Sequence, residues 1–177
     1  CPNQATAGFE ISIAPTLLAL ANVSVCDGEQ IVFPVITTGN VTDNIQWEIL
    51  PIDNLGIGNT GISGTIPPVI GFNSGSTPIV STISTYATST AGCVGPVETF
   101  NVTVHPIPQV DFSGDILSGC EAHEVQFSSQ SNIPAASCIW DFGNGTTSDL
   151  CNQTSTVFMA GDYDVTLTVT TTAGCSN

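Results

Sequence analysis

This sequence predicts an all-β chain built of tandem domains, and three observations carry that prediction. Trp140 and Phe142 alternate with Ile139 and Asp141, the period-two pattern of a strand with one face in a core. Gly143-Asn144-Gly145 follows at once, and Gly and Asn accept positive φ at little cost, so the chain turns sharply there. Two long stretches of the chain also repeat one another, as tandem domains do.

The repeat sets the order of elements. Residues 1–33 align with residues 93–127. Cys1 falls on Cys93, and Gly8-Phe9-Glu10-Ile11-Ser12-Ile13-Ala14-Pro15 falls on Thr99-Phe100-Asn101-Val102-Thr103-Val104-His105-Pro106. Cys26 stands seven residues before Phe33, as Cys120 does before Phe127. Trp47 follows Cys26 by 21 residues and Trp140 follows Cys120 by 20. Ala91-Gly92-Cys93 matches Ala173-Gly174-Cys175. Residues 1–15 therefore read as the final strand of a preceding repeat, or as a donor strand.

The first domain, 16–106, is expected to place strands near Asn22–Val25, Ile31–Val35, Ile45–Leu50, Ile79–Thr88 and Val97–His105. Residues 51–76, rich in Gly, Pro and Asn, read as a long loop with short strand pieces. Pro106-Ile107-Pro108 is a short, stiff linker. The second domain, 107–177, carries the Trp140 strand and its turn. A strand beginning at Thr146 can run back beside the first. Gly161–Thr170 then alternates with Tyr163, Val165, Leu167 and Val169 on one face.

Trp140-Asp141-Phe142-Gly143-Asn144-Gly145, followed by the Gly161–Thr170 strand, resembles the PKD domain. That family's usual form is a W-D-F-G-D-G turn and a later G-x-Y-x-V-x-L-x-V strand; Asn144 stands where the second Asp is usual. The resemblance covers roughly residues 107–177. It implies an Ig-like β-sandwich that is seldom catalytic, so the fold class becomes tandem Ig-like, PKD-like β-sandwiches. The first domain has Ile45-Gln46-Trp47-Glu48-Ile49 without the turn. It is similar to the divergent PKD-like modules of very long bacterial surface proteins.

Two features concern the ends. The second domain stops just past Cys175, so it is expected to lack its last strand. Residues 1–13 supply such a strand with no domain before it. A sandwich without an edge strand exposes unpaired backbone groups and an open core. The chain is then either a window of a longer tandem array, the reading adopted, or a subunit whose residues 1–13 complete a neighbouring copy by donor-strand addition.

Composition narrows the function. The 177 residues include no Lys or Arg and fifteen acids. Nucleic acid and anionic lipid are bound through cations, so neither is an expected partner. Phosphate chemistry is disfavoured for the same reason. Seven cysteines without a C-x-x-C pair point to an oxidising compartment rather than to zinc. No apolar run is long enough to cross a bilayer, so no membrane insertion is expected.

The repeat alignment pairs Cys26 with Cys93 and Cys120 with Cys175. Cys138 and Cys151 flank the Trp140 turn on adjacent strands and are paired with each other. Cys1 is left for the preceding domain, with a lipidated N-terminus as the rival reading. Buried thiols are the alternative for any of these.

Catalytic patterns are thin. His123-Glu124 starts an H-E-x-x pattern, but position 127 is Phe and no second His is near. His105 beside Pro106 reads as a surface or linker residue. No Gly-x-Ser-x-Gly elbow occurs. No enzyme activity and no cofactor are expected. Calcium is the exception left open, at Asp141, Asn144 and Asp149, where oxygen ligands cluster about one turn. The competing reading is that the Asp caps backbone N–H groups. Asp162 and Asp164 read as solvated. Five N-x-S/T triplets start at Asn22, Asn40, Asn101, Asn144 and Asn152, and carry glycans only in a suitable secretory pathway.

The resemblance therefore implies a structural or adhesive repeat segment of a long extracellular cell-surface protein. It is similar to the stalks of SprB-type gliding adhesins exported by type IX secretion. Its partners would be neighbouring repeats or identical subunits. Alternatives are a self-assembling filament subunit, and a polysaccharide-binding accessory module of a secreted hydrolase. Trp47 and Trp140 occupy expected core positions, which counts against the last.

Overall fold

The computed structural model describes residues 11–39, 44–50, 55, 60–120 and 122–177. Cys1, residues 1–10 of the expected final strand and the Asn40 triplet lie outside them. The described strands are β1 (Val23–Cys26), β2 (Gln30–Ile31), β3 (Asn44–Leu50), β4 (Thr60–Gly61), β5 (Val69–Ile70), β6 (Ile79–Thr88) and β7 (Glu98–His105). They continue with β8 (Val110–Gly114), β9 (His123–Ser131), β10 (Ser137–Asp141), β11 (Thr147–Ser148), β12 (Gln153–Phe158) and β13 (Thr166–Thr170). No helix occurs among the described residues, and the fold is an all-β sandwich of the Ig-like kind.

The chain forms two compact units. The first holds Cys1–Val23, Gln30–Val69 and Val80–Thr103; the second holds Ser24–Glu29, Ile70–Ile79 and Val104–Asn177. One sheet has the order β1-β7-β6-β3-β4, and β2 pairs with β5. In β3 and β6 the alternation is clean: Trp47, Ile49, Ile83 and Ala87 face inward and are buried. Phe100 and Val102 from β7, with Ile31 and Ile36, complete the core of the first unit. Val35 is exposed and the expected Ile31–Val35 strand shrinks to β2.

The second unit packs two three-stranded sheets, β11-β10-β13 and β12-β9-β8. Register is fixed by Trp140 opposite Leu167 and Cys138 opposite Val169 in one sheet, and by Phe127 opposite Thr154 in the other. A one-residue slip would turn Trp140 and Phe142 to solvent, so the pattern allows only this pairing. Val125, Phe127, Trp140 and Phe142 form the core, with Phe112, Phe158, Val165 and Leu167 against it. The Trp140 and Phe142 rings stack at 6.0 Å and 9°, and Phe112 meets Trp140 edge-on at 5.2 Å. Such aromatic pairs add about 0.5–1.5 kcal/mol each beyond their buried area.

β13 hydrogen-bonds β10 on one side. On its other side, among the described residues, Ser176 and Asn177 meet it in an isolated bridge. Val169 N–H donates to Asn177 O (2.8 Å) and Asn177 N–H to Val169 O (3.1 Å). Inward burial fades along β13, from buried Val169 to half-buried Leu167, and on to half-buried Val165 and Tyr163 before it. The matching strand β6 has Ser81, Ile83, Thr85 and Ala87 fully buried beside β7.

Candidate functional site

A dense polar construction lies in the second unit, where segments 24–29, 70–79 and 104–105 meet. Cys26 ends β1, and Asp27-Gly28 turns the chain, with Gly28 at φ 81°. The turn is held by Cys26 N–H donating to Glu29 Oε2 (2.8 Å). Asp27 N–H donates to His105 O (2.8 Å), and Gly28 N–H to Gly71 O (2.9 Å). Gly71 N–H returns a bond to Glu29 O (2.8 Å).

Asn73 locks these pieces together and is only 2% exposed. Its N–H donates to Asp27 Oδ1 (2.6 Å). Its Nδ2 donates to Thr77 O (2.9 Å) and Val104 O (2.8 Å), and its Oδ1 accepts from Gly75 N–H (3.0 Å). Both amide protons are thus used, which is how a buried amide avoids an unpaired-donor penalty. His105 Nε2 pairs with Ser24 Oγ at 3.0 Å.

A covalent bond crosses this region. Cys26 is bridged to Cys175, with Cα atoms 5.6 Å apart. The expected pairings Cys26–Cys93 and Cys120–Cys175 do not form, and Cys93 and Cys120 are free thiols. Strand length explains why. Cys26 lies level with His105 at the end of β7, whereas Cys93 precedes the start of β7. Eight residues of extended strand put about 23 Å between those ends. Likewise the chain beside Cys120 (Ser118, Gly119, His123) adjoins Asp162 and Tyr163 before β13, while Cys175 follows β13. The second bridge joins Cys138 to Cys151, across a Cα distance of 5.1 Å.

The Trp140 turn is a hydrogen-bonded structure. Asp141 Oδ1 accepts from Gly143 N–H (2.9 Å). Asn144 Oδ1 accepts from Thr146 N–H (2.9 Å) and Thr146 Oγ1 (2.6 Å), while its Nδ2 donates to Val157 O (3.1 Å). Asp149 lies beyond β11 in an exposed stretch. Among the described residues no three His, Cys, Asp or Glu side chains gather closely enough to hold a metal ion.

Both tryptophans are core residues. Trp140 is fully buried and its Nε1 donates to Leu150 O (2.8 Å); Trp47 lies against Gly61. Glu124 Oε1 accepts from Ser155 Oγ (2.7 Å), and His123 opens onto a cleft of 360 Å³. Phe127, Phe158, Tyr163, Val165 and Leu117 line that cleft just ahead of β13. Sequence reading singled out Cys26 and Cys175 but missed Asn73 and Asp27. Their one visible signal is position, Asp27 directly after a repeat cysteine and Asn73 in a Gly-rich loop.

Comparison with known proteins bears on the fold. The PKD domain family matches residues 103–177. A three-immunoglobulin-domain structure of titin, an E-to-A variant, is similar with a TM-score of 0.50 and 16% identity, over 94% of this chain and 64% of that one. The FN1–FN3 domains of chicken contactin (CNTN1) align with a TM-score of 0.42 and 12% identity, over 91% of this chain and 62% of theirs. The chain thus spans less than two thirds of either structure. No curated protein matches its sequence. Residues 103–177 thus resemble a PKD domain and the fold is Ig-like, a kind of fold that is typically non-catalytic. The Cys138–Cys151 bridge within that region and the Cys26–Cys175 bridge that reaches it are consistent with an extracellular structural or adhesive module.

Proposed function

We propose that this chain is a load-bearing segment of a tandem-repeat protein on the outside of a cell, the stalk of an adhesin of the gliding type. The observation that carries the reading is the Cys26–Cys175 bridge. Cys26 belongs to the first sequence repeat and Cys175 to the next, and in the fold both lie in the second compact unit, where the bond closes. Tension entering near residue 26 passes through sulfur to residue 175 and leaves the chain between them unloaded.

Force spectroscopy tests the mechanical part. With the bridge intact, pulling from both ends releases no chain from residues 27–174. After reduction, the 149-position loop extends by about 500 Å at the reach of an extended chain. Extension of that size in the oxidised protein would refute load-bearing by the bridge. The cellular part needs antibodies to the folded segment, which should label intact cells. Labelling only after permeabilisation would exclude a surface stalk.

A second reading, a filament subunit completed by residues 1–13 of its neighbour, is favoured by the exposed side chains of Ile11 and Ile13. The mass of the native polypeptide, denatured and reduced, separates the two. Hundreds of kilodaltons supports the stalk; a mass near 18.2 kDa supports the filament.

A further inference from the structure

We infer that Cys93 and Cys120 are the two halves of a second joint. Cys120 of one copy of this two-repeat segment bonds Cys93 of the copy that follows it. The inference rests on the tandem reading above and goes further by naming the bonded partner.

The argument starts from equivalence. Cys26 and Cys120 hold the same place in successive repeats, seven residues before a Phe. Cys93 and Cys175 each end an Ala-Gly-Cys triplet. The structure bonds the first kind of cysteine to the second kind one repeat later, as Cys26–Cys175. Applied again, the same step takes Cys120 forward to a Cys93-type residue and takes Cys93 back to a Cys120-type residue. These are the two thiols left free among the described residues, one exposed and one half-buried.

The local geometry of Cys93 matches that of the cysteine already bonded. Ser89 N–H donates to Cys93 O (3.0 Å), as Thr171 N–H does to Cys175 O (2.9 Å). Gly92 N–H donates to Ser89 O (2.9 Å), as Gly174 N–H does to Thr171 O (3.0 Å). The glycines sit at φ 83° and 86°, and the bridges Thr88–Val94 and Thr170–Ser176 coincide in the alignment. The two turns share the same backbone hydrogen bonds and the same left-handed glycine.

An independent observation points to the same partner. Ile11 and Ile13 are 79% and 86% exposed, and they align with Val102 and Val104 of β7, which are buried beside β6. β13, the counterpart of β6, has no strand in that place among the described residues. Ser12, between Ile11 and Ile13, accepts from the Cys93 thiol (Sγ to O 3.6 Å), so the stretch that carries them lies beside Cys93 in each copy.

Bond formation is an oxidation. The two thiols lose two protons and two electrons, and a small disulfide such as oxidised glutathione accepts them and becomes two thiols.

The test is a single chain carrying two copies in tandem. Gly174 of the first copy is followed by Cys1 of the second, because Cys1, Cys93 and Cys175 are equivalent positions. After refolding with oxidised glutathione, free thiols are alkylated and the disulfide-linked peptides are mapped. The expected map contains Cys120 of the first copy bonded to Cys93 of the second. Cys120→Ser in the first copy should then free only that Cys93. Recovery of both residues alkylated, while Cys26–Cys175 of the second copy is intact, would overturn the joint and leave the stalk reading standing. If Cys26 of the second copy is also found alkylated, the bonding rule itself fails. As a check that tolerates misfolding of the long chain, single copies carrying Cys1→Ser with either Cys93→Ser or Cys120→Ser are mixed. A bonded pair should form in the mixture and in neither variant alone; equal pairing in each variant alone would refute the assignment.

Discussion

Cys26 and Cys175 stand 149 positions apart in the chain, yet their Cα atoms lie within 5.6 Å. Closing so long a loop removes much of the unfolded chain's freedom, about 5 kcal/mol in the chain-entropy account. The Cys138–Cys151 loop spans 13 positions, and the same account gives about 3 kcal/mol. Replacing both members of the long bridge by Ala should therefore lower the denaturant midpoint more than replacing both members of the short one. Equal losses would mean that native-state packing, rather than chain entropy, sets the contribution of these bonds.

The Trp140 turn contains two left-handed glycines that are not equivalent. Gly143, at φ 69°, has Asp164 O where a Cβ would come within 2.6 Å; Gly145, at φ 87°, faces open space. Gly145→Ala should cost about 1–2 kcal/mol, the left-handed strain alone. Gly143→Ala adds a backbone clash and should cost more. Asn tolerates the left-handed region, so Gly145→Asn should recover most of the loss and Gly143→Asn should not. Thermal unfolding of the four variants checks the order.

These two cases show what was legible in the chain. Alternation about Trp140 gave the right inward face because strand periodicity is a local property. Most strands of the first domain fell within a residue or two of their expected ends for the same reason. Cysteine pairing was different. Repeat alignment says which cysteines are equivalent, but not whether the bond closes within a repeat or reaches the next. That depends on which end of β7 each cysteine reaches, a long-range property. Asn73 was invisible because its partners, Asp27, Thr77 and Val104, are gathered only by the fold.

The two tryptophans differ in one hydrogen bond. Trp140 Nε1 donates to Leu150 O, whereas Trp47 Nε1 is buried with no partner among the described residues. Trp140→Phe loses that bond and leaves a void in the core, so a cost of about 2–4 kcal/mol is expected. Trp47→Phe also loses volume but removes an unpaired donor, a partial compensation. Chemical denaturation should therefore rank Trp140→Phe as clearly the more damaging. The reverse order would show that Trp47 Nε1 has a partner in solution.

Asn73 offers a prediction with a pH signature. Asn73→Ala leaves Thr77 O and Val104 O without their donors in a buried place, and should cost about 2–4 kcal/mol. Asn73→Asp keeps the size but replaces the two-proton amide with a carboxylate, beside those carbonyls and Asp27. Burial and like charge both disfavour ionisation, so the introduced acid should titrate above its unfolded value of about 4 in the native state. The native state then binds more protons than the unfolded state across that window. Stability of the Asn73→Asp variant, measured against the parent at each pH, should be best at low pH and fall as pH rises through the raised pKa. A difference that stays flat between acid and neutral pH would mean that position 73 is solvated in solution and that the polar lock about Cys26 is open.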